Sequence, residues 1–185
     1  MIRTSLTNPI RVDALPVAGG LLGLTFCPGK HGDSLTGAPW ARDLEMDLCA
    51  LRDWGARLIL TLIEPHELDL LRVSDLGAQV KALGMNWVHL PIRDMDVPAS
   101  PFLTGWPQVR GDLLSRLDAG ERVVVHCRGG RGRAGLVAAL LLIETGLEAE
   151  VAIQTVRAAR TGAIETAAQE RYVRAYAPSA TAARP

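Results

Sequence analysis

The sequence predicts a single α/β domain with a central, mainly parallel sheet flanked by helices. Residues 57–63 form a continuous apolar run, as expected of a strand buried on both faces. Helical and strand patterns alternate along the chain, which is typical of parallel strands joined by helical crossovers. The 185 residues are enough for one proper core, and neither a repeat nor a linker divides them.

The first half of the chain carries recognisable start and stop signals. Leu44, Leu48 and Leu51 repeat at helical spacing, and Gly55 follows at the expected helix end. Proline suits the first turn of a helix and serine suits its cap. The predicted elements are a hairpin over 10–17 and 20–26, a loop over 27–34, a helix over 39–54, a strand over 57–63, a helix over 65–71, a helix over 74–83 capped by Ser74, and a strand over 86–91.

The second half continues the alternation and ends in helices. The predicted elements are a helix over 108–117, a strand over 123–126, and helices over 132–145, 150–160 and 166–176. We therefore expect a lead-in over 1–20, one folded domain over 21–176 and a flexible tail over 177–185, which is small and proline-flanked.

Composition excludes several classes of protein. Basic and acidic residues balance at 20 each, so no bulk attraction to nucleic acid is expected. The longest apolar stretch, 136–143, is too short to span a membrane, and no signal peptide is evident. Three cysteines argue against a disulfide framework, so Cys27 and Cys49 are interpreted as buried or incidental thiols. We expect a cytoplasmic location, since reducing conditions suit a free thiol.

The most informative stretch is the one that follows the strand over 123–126. His126 and Cys127 end the strand, a glycine-rich loop comes next, and Arg133 opens an apolar helix. Loop amides and a helix N-terminus together bind anions, and the same field favours a thiolate over a thiol. An arginine at the loop's end can hold two phosphate oxygens at once. The predicted phosphate-binding residues are Arg128, Gly129, Gly130, Arg131, Gly132 and Arg133.

This pattern predicts a thiolate nucleophile, Cys127, facing a bound phosphoryl group. We expect His126 to orient the loop and support the thiolate. Three other interpretations exist. Cys127 alone would be read as a buried core residue. Gly130, Gly132 and Gly135 match a dinucleotide fingerprint, which does not explain the cysteine or the arginines. Sulfurtransferases also place a cysteine in a loop before a helix.

Displacement of an alkoxide or phenoxide from phosphorus requires a proton donor. The loop after the strand over 86–91 ends at the same sheet edge as the cysteine loop, because parallel strands share their carboxyl edge. This loop contains Asp94 and Asp96, and either can be the donor. Arginine and amide dipoles supply the positive field, so no metal or cofactor is expected.

Five segments in order resemble the kinase-associated phosphatases, also called cyclin-dependent kinase inhibitor-type dual-specificity phosphatases. The resemblance extends over 21–176 and implies a protein tyrosine phosphatase-like fold. It also implies that Asp94, which follows Pro91-Ile92-Arg93, is the general acid, and that Gln169 helps to place water. The segments are 23–29, 67–73, 89–94, 126–135 and 162–169.

Two positions depart from the family pattern. Ala134 stands where the family has Ser or Thr, whose hydroxyl eases departure of the cysteine thiolate. Glu165 replaces the first glutamine of a Gln-Thr-x-x-Gln pattern. The resemblance implies a phosphorylated protein or peptide as substrate. Arg128 and Arg131 favour acidic phosphate esters, including phosphoinositides. The non-enzymatic alternative is a phosphate-binding module with little turnover.

Overall fold

The computed structural model describes residues 2–34 and 37–178, and the described residues form one sheet of five strands with helices packed against it. The strands are β1 (Asp13–Val17), β2 (Gly20–Phe26), β3 (His31–Gly32), β4 (Trp40–Ala41), β5 (Ala56–Thr61), β6 (Asn86–His89) and β7 (Arg122–Cys127). The helices are α1 (Leu44–Asp53), α2 (Pro65–Leu70), α3 (Leu76–Ala82), α4 (Phe102–Asp118), α5 (Gly132–Glu144), α6 (Ala149–Ala159) and α7 (Ala167–Ala175).

The predicted fold class and the predicted hairpin are confirmed. The strand order is β1-β2-β7-β5-β6, and every pair in this sheet is parallel except β1 with β2. Strands β3 and β4 form a separate two-stranded sheet. β7 lies at the centre, so the loop that follows it emerges between the ends of β2 and β5. The cysteine loop is therefore supported by a strand on each side.

Helix α5 lies in the centre of the hydrophobic core. Every one of its residues is buried, because it packs on β2 and β7 and is covered by α6 and α7. A helix that is buried all round has to be apolar all round, which explains why the sequence over 136–143 has no polar face. This burial fixes the N-terminus of α5, and with it the loop, relative to the sheet.

Two helices begin at positions other than those predicted. The predicted helix over 39–54 starts at Leu44, because Trp40–Ala41 pairs with His31–Gly32 as a strand and Asp43 accepts a hydrogen bond from the Met46 N–H at 2.8 Å. The predicted helix over 108–117 starts at Phe102. Its first turns contribute Phe102 and Trp106 to the core, stacked 5.1 Å apart.

Smaller differences have local causes. Ser74 is not the cap of α3, since its hydroxyl donates to Asp69 Oδ1 at 2.5 Å and the helix begins at Leu76. Strand β6 ends at His89, before Pro91, which has no N–H to donate to a neighbouring strand. Strand β1 lies inside the predicted lead-in over 1–20 and pairs with β2. Residues 179–185 of the predicted tail lie outside the described residues.

A buried side-chain network joins the strands at the end of the sheet that carries the loop. His126 Nε2 lies 2.8 Å from Thr61 Oγ1, and Trp87 Nε1 donates to the same hydroxyl at 2.9 Å. His126 Nδ1 lies 3.3 Å from the carbonyl oxygen of Cys127. The Cys127 carbonyl can only accept, so its contact with Nδ1 places a ring proton on that nitrogen. The Thr61 hydroxyl accepts from the indole and can donate to Nε2 of a neutral imidazole. Burial lowers the pKa of His126 from 6.5 to about 4.

No helix within residues 2–34 and 37–178 is long and apolar enough to cross a membrane.

The neutral state of His126 predicts a specific loss of stability in acid. Because the folded pKa lies below the ordinary value, the unfolded chain takes up the proton first, and stability falls between pH 6.5 and about 4. The loss attributable to this one residue is about 3 kcal/mol. Urea unfolding of wild type and His126→Asn at pH 7 and pH 4 measures it, since the variant should lose that much less stability over this interval.

The exposed residue His66 provides the control, because His66→Asn should lose as much stability on acidification as wild type. An unchanged pH dependence in His126→Asn would contradict the assignment.

Candidate active site

The loop after β7 places Cys127 at its base. The Cys127 side chain is nearly inaccessible, with 3% of the residue exposed. Its Sγ accepts a hydrogen bond from the Gly130 N–H at 3.2 Å. A backbone N–H that points at this sulfur shows that the loop directs a donor toward its own interior. The predicted nucleophile therefore lies inside the curl of the loop that was predicted to hold an anion.

Gly130 is required where it lies. Its φ of 69° is in the left-handed region, which favours glycine. A Cβ there would also come within 2.2 Å of the carbonyl oxygen of Thr25 on β2. The loop therefore packs directly against the neighbouring strand, and any larger residue at Gly130 would lift it off.

The loop is held in shape by its carbonyl groups, which bind donors outside it. When the carbonyls point outward, the intervening N–H groups turn toward the interior, as an anion site requires. The contacts are Cys27 N to Arg128 O at 3.3 Å, Lys30 Nζ to Arg128 O at 3.3 Å, Arg160 Nη2 to Gly129 O at 3.0 Å, and Ile164 N to Arg131 O at 3.3 Å.

Arg133 is fixed by a buried carboxylate. Its Nη1 and Nη2 donate to the two oxygens of Glu67 at 2.5 and 2.9 Å, and Nη1 also donates to the Ile92 carbonyl at 3.1 Å. Burial opposes charge on both partners, yet the hydrogen bonds between them hold the pKa of Glu67 below its ordinary value and raise that of Arg133. The pair is therefore ionised, and the guanidinium plane has one orientation.

The same guanidinium contacts Asp94. Asp94 Oδ1 lies 2.8 Å from Arg133 Nη2, and the aspartate side chain is 48% exposed. The Nη atoms are thus engaged by Glu67, Ile92 and Asp94. Among the described residues no acceptor bonds the Nε–H of Arg133, so this donor remains available.

The structure separates the two aspartates that the sequence left as alternatives. Asp96 does not reach Arg133; its Oδ1 accepts from the Val97 N–H at 2.8 Å, and its carbonyl accepts from Gln169 Nε2 at 3.1 Å. The chain turns between the two at Met95, whose φ is 61°. Asp94 thus faces the loop while its Oδ1 also accepts from the Met95 N–H at 3.1 Å, whereas the contacts of Asp96 are made within its own loop and with Gln169.

Gln169 is buried, and its carboxamide oxygen accepts from the backbone N–H groups of Glu165 and Thr166 at 3.0 and 3.3 Å. Together with its bond to Asp96, this joins α7 to the loop that carries Asp94. Gln169 therefore braces the site. Arg128 is half-buried and Arg131 is exposed, so these two cations lie at the rim of the loop.

Lys30 is a cation beside the loop that sequence reasoning missed. Its Nζ lies 4.6 Å from the Phe26 ring centroid and 4.5 Å from that of Trp40, and only 8% of the residue is exposed. Burial lowers the pKa of Lys30 to about 8. Its main neighbours are these two aromatic rings and the Arg128 carbonyl of the loop. The sequence shows only that Lys30 follows a proline and a glycine, which gives no sign of these contacts.

Glu67 was also missed as a site residue. It occurs in an ordinary helix signal after Pro65, and nothing local indicates an ion pair with a residue 66 positions away. Cys27 is buried, as one of the two alternatives for it predicted, and burial raises the pKa of its thiol. Within the described ranges no cluster of three or more His, Cys, Asp or Glu side chains is arranged to hold a metal ion.

Comparison with known proteins identifies the family. Residues 41–173 match the family model described as "PTP-SAK: Swiss Army Knife protein, DSP-PTPase phosphatase domain". Cyclin-dependent kinase inhibitor 3 of Homo sapiens is 30% identical over 155 residues, which are 82% of this chain and 69% of that protein. Protein tyrosine phosphatase type IVA 3 of Bos taurus is 37% identical over 128 residues, 69% of this chain and 68% of that protein.

A solved structure supports the same conclusion. The kinase associated phosphatase (KAP), crystallised with its catalytic-site cysteine replaced by serine, superposes with a TM-score of 0.80 at 28% identity, covering 90% of this chain and 93% of that one. The predicted resemblance to the kinase-associated phosphatases is confirmed. The chain belongs to the dual-specificity and tyrosine phosphatases, which are phosphoric monoester hydrolases.

Proposed function

We propose that this protein removes phosphate from phosphorylated protein side chains through a phosphocysteine intermediate on Cys127. Arg133 is the phosphate clamp and Asp94 is the general acid. One observation carries the proposal. The guanidinium of Arg133, oriented by Glu67, keeps its Nε–H free of acceptors among the described residues and touches Asp94 through Nη2.

The first consequence concerns binding. A phosphoryl group in the loop takes the Nε–H and one Nη2 hydrogen of Arg133, the fork geometry that arginine offers to two oxygens. It thereby replaces the Asp94 carboxylate on Nη2, while Glu67 keeps the guanidinium in place. Substrate binding thus releases Asp94 from Arg133 and leaves it beside the leaving-group oxygen.

Chemistry then proceeds in two displacements. The Cys127 thiolate attacks phosphorus and the bond to the substrate oxygen breaks. Asp94, which takes up a proton from the bound phosphate monoanion when it leaves Arg133, gives that proton to the departing oxygen. Water next attacks the phosphocysteine, Asp94 takes up its proton, and the P–S bond breaks to return the thiolate. The loop amides and Arg133 stabilise the equatorial oxygens throughout, as a loose phosphoryl-transfer transition state requires.

The substrate class is inferred from the rim and from the family. Arg128 and Arg131 are accessible cations beside the loop, which favour acidic phosphoprotein segments. Relatives of the chain are named as tyrosine phosphatases. A cytoplasmic location is part of the proposal, since a thiolate nucleophile needs a reducing compartment.

A phosphate-binding module with little turnover is the second candidate. The observation that favours it is Ala134, which is fully buried and offers no hydroxyl where the family loop carries one. Without that hydroxyl the second displacement is expected to be slower than the first.

Stopped-flow measurement with p-nitrophenyl phosphate separates the two candidates. A phosphatase continues in steady turnover, whereas a module with little turnover gives a stoichiometric burst and then only slow release of product. Cys127→Ser should abolish both phases while retaining its affinity for a phosphopeptide. Normal hydrolysis by Cys127→Ser would exclude the proposed nucleophile.

The two aspartates provide a matched pair of variants. Asp94→Asn should lower kcat/KM on a phosphotyrosine peptide by roughly 10²–10⁴-fold, because the leaving oxygen then departs without a proton. The loss should be smaller on p-nitrophenyl phosphate, whose leaving group needs little protonation. Asp96→Asn should stay within about twofold of wild type, since its carboxylate makes only a local contact. The reverse ranking would assign the general acid to Asp96.

A further inference from the structure

We propose that the Glu165 carboxylate competes with phosphate for a backbone N–H of the loop. In the free protein this carboxylate accepts a hydrogen bond from one N–H of the loop. The phosphoryl group of the substrate displaces it, and it binds the same N–H again when product phosphate leaves. This inference rests on the proposed function, because it assigns a role in ligand exchange at the same site.

The central contact is a hydrogen bond inside the anion site. The Gly132 N–H donates to Glu165 Oε2 at 2.8 Å. Gly132 precedes Arg133 and is the first residue of α5, so its N–H belongs both to the loop and to the positive end of the helix dipole. An internal carboxylate thus already satisfies a donor that a bound phosphate would use.

At Gly132 the start of α5 lies directly against the side chains of Glu165 and Gln169. A Cβ at this position would lie 2.6 Å from Glu165 Oε2 and 3.0 Å from Gln169 Oε1. The glycine therefore permits the close approach of the carboxylate. The Gln-Thr-x-x-Gln pattern that this segment resembles has a neutral glutamine at the position of Glu165. The negative charge bound to the loop amide is therefore a departure of this chain from that pattern.

The backbone under Glu165 is firmly held, whereas its side chain is exposed. Gln169 Oε1 accepts from the Glu165 N–H at 3.0 Å, and the Ile164 N–H donates to the Arg131 carbonyl at 3.3 Å. Arg157 Nη2 donates to the Ile164 carbonyl at 3.1 Å. The carboxylate can leave the amide by side-chain rotation alone and remain within reach, so its return requires no rearrangement of the chain.

The chemical consequence is a limit on anion affinity. A phosphate that binds Gly132 has to replace an ionic hydrogen bond, and it then lies beside the displaced negative charge. Both effects weaken the binding of substrate and of product phosphate. Since inorganic phosphate lacks the remaining contacts of a phosphoprotein, the weakening speeds regeneration of the free enzyme.

Inhibition by inorganic phosphate tests this role. Glu165→Gln keeps the shape of the side chain and removes its charge, so the inhibition constant of phosphate against p-nitrophenyl phosphate should fall about tenfold. Glu165→Ala should change it in the same direction. Glu148→Gln, which removes an exposed charge at the start of α6, controls for net charge and should leave the constant unchanged.

Two outcomes would overturn the inference. An unchanged inhibition constant would mean that phosphate does not compete with Glu165. A raised constant, with a lowered melting temperature, would mean that the carboxylate is a structural cap for α5. Calorimetric titration with phosphate gives the same comparison without turnover. An absence of hydrolysis would therefore count against the proposed function while the phosphate affinities still decide the role of Glu165.

Discussion

The bidentate ion pair between Arg133 and Glu67 is the constraint on which the site depends. A buried guanidinium has to be paired, and the pairing found here uses both Nη atoms and leaves Nε for a ligand. The pair connects the first turn of α5 to α2, two elements that are far apart in sequence. Removing Arg133 would leave the buried Glu67 carboxylate unpaired, which costs about 3–5 kcal/mol in comparable cases.

Around that pair the loop can bind anions because its carbonyl groups point outward and its N–H groups point inward. The carbonyls of Arg128, Gly129 and Arg131 bind donors from three other segments, while the N–H groups of Gly130 and Gly132 face sulfur and carboxylate. In the free protein two of the donors that a phosphate would use, Arg133 Nη2 and the Gly132 N–H, thus already have carboxylate acceptors. Asp94 lies on Arg133 and Glu165 lies on Gly132, so ligand binding is an exchange of anions rather than the filling of an empty site.

The sequence was informative where function is local. Cys127, the glycines after it and Arg133 fall within seven consecutive residues, and strand, loop and helix each have short-range signals there. Helix α4 was predicted to begin at residue 108 and begins at Phe102, with Pro107 inside it, because burial of Phe102 and Trp106 outweighs the hydrogen bond lost at the proline. Glu67 and Lys30 were missed because their roles arise only from tertiary contacts.

The most direct test of this account is a crystal structure with orthovanadate bound. We predict vanadium bonded to Cys127 Sγ, vanadate oxygens on Nε and Nη2 of Arg133, and Asp94 displaced from Nη2, with the Glu67 contacts unchanged. Vanadate bound outside the loop, or an Arg133 that turns away from Glu67 to reach it, would contradict the claim that this ion pair sets the site in advance.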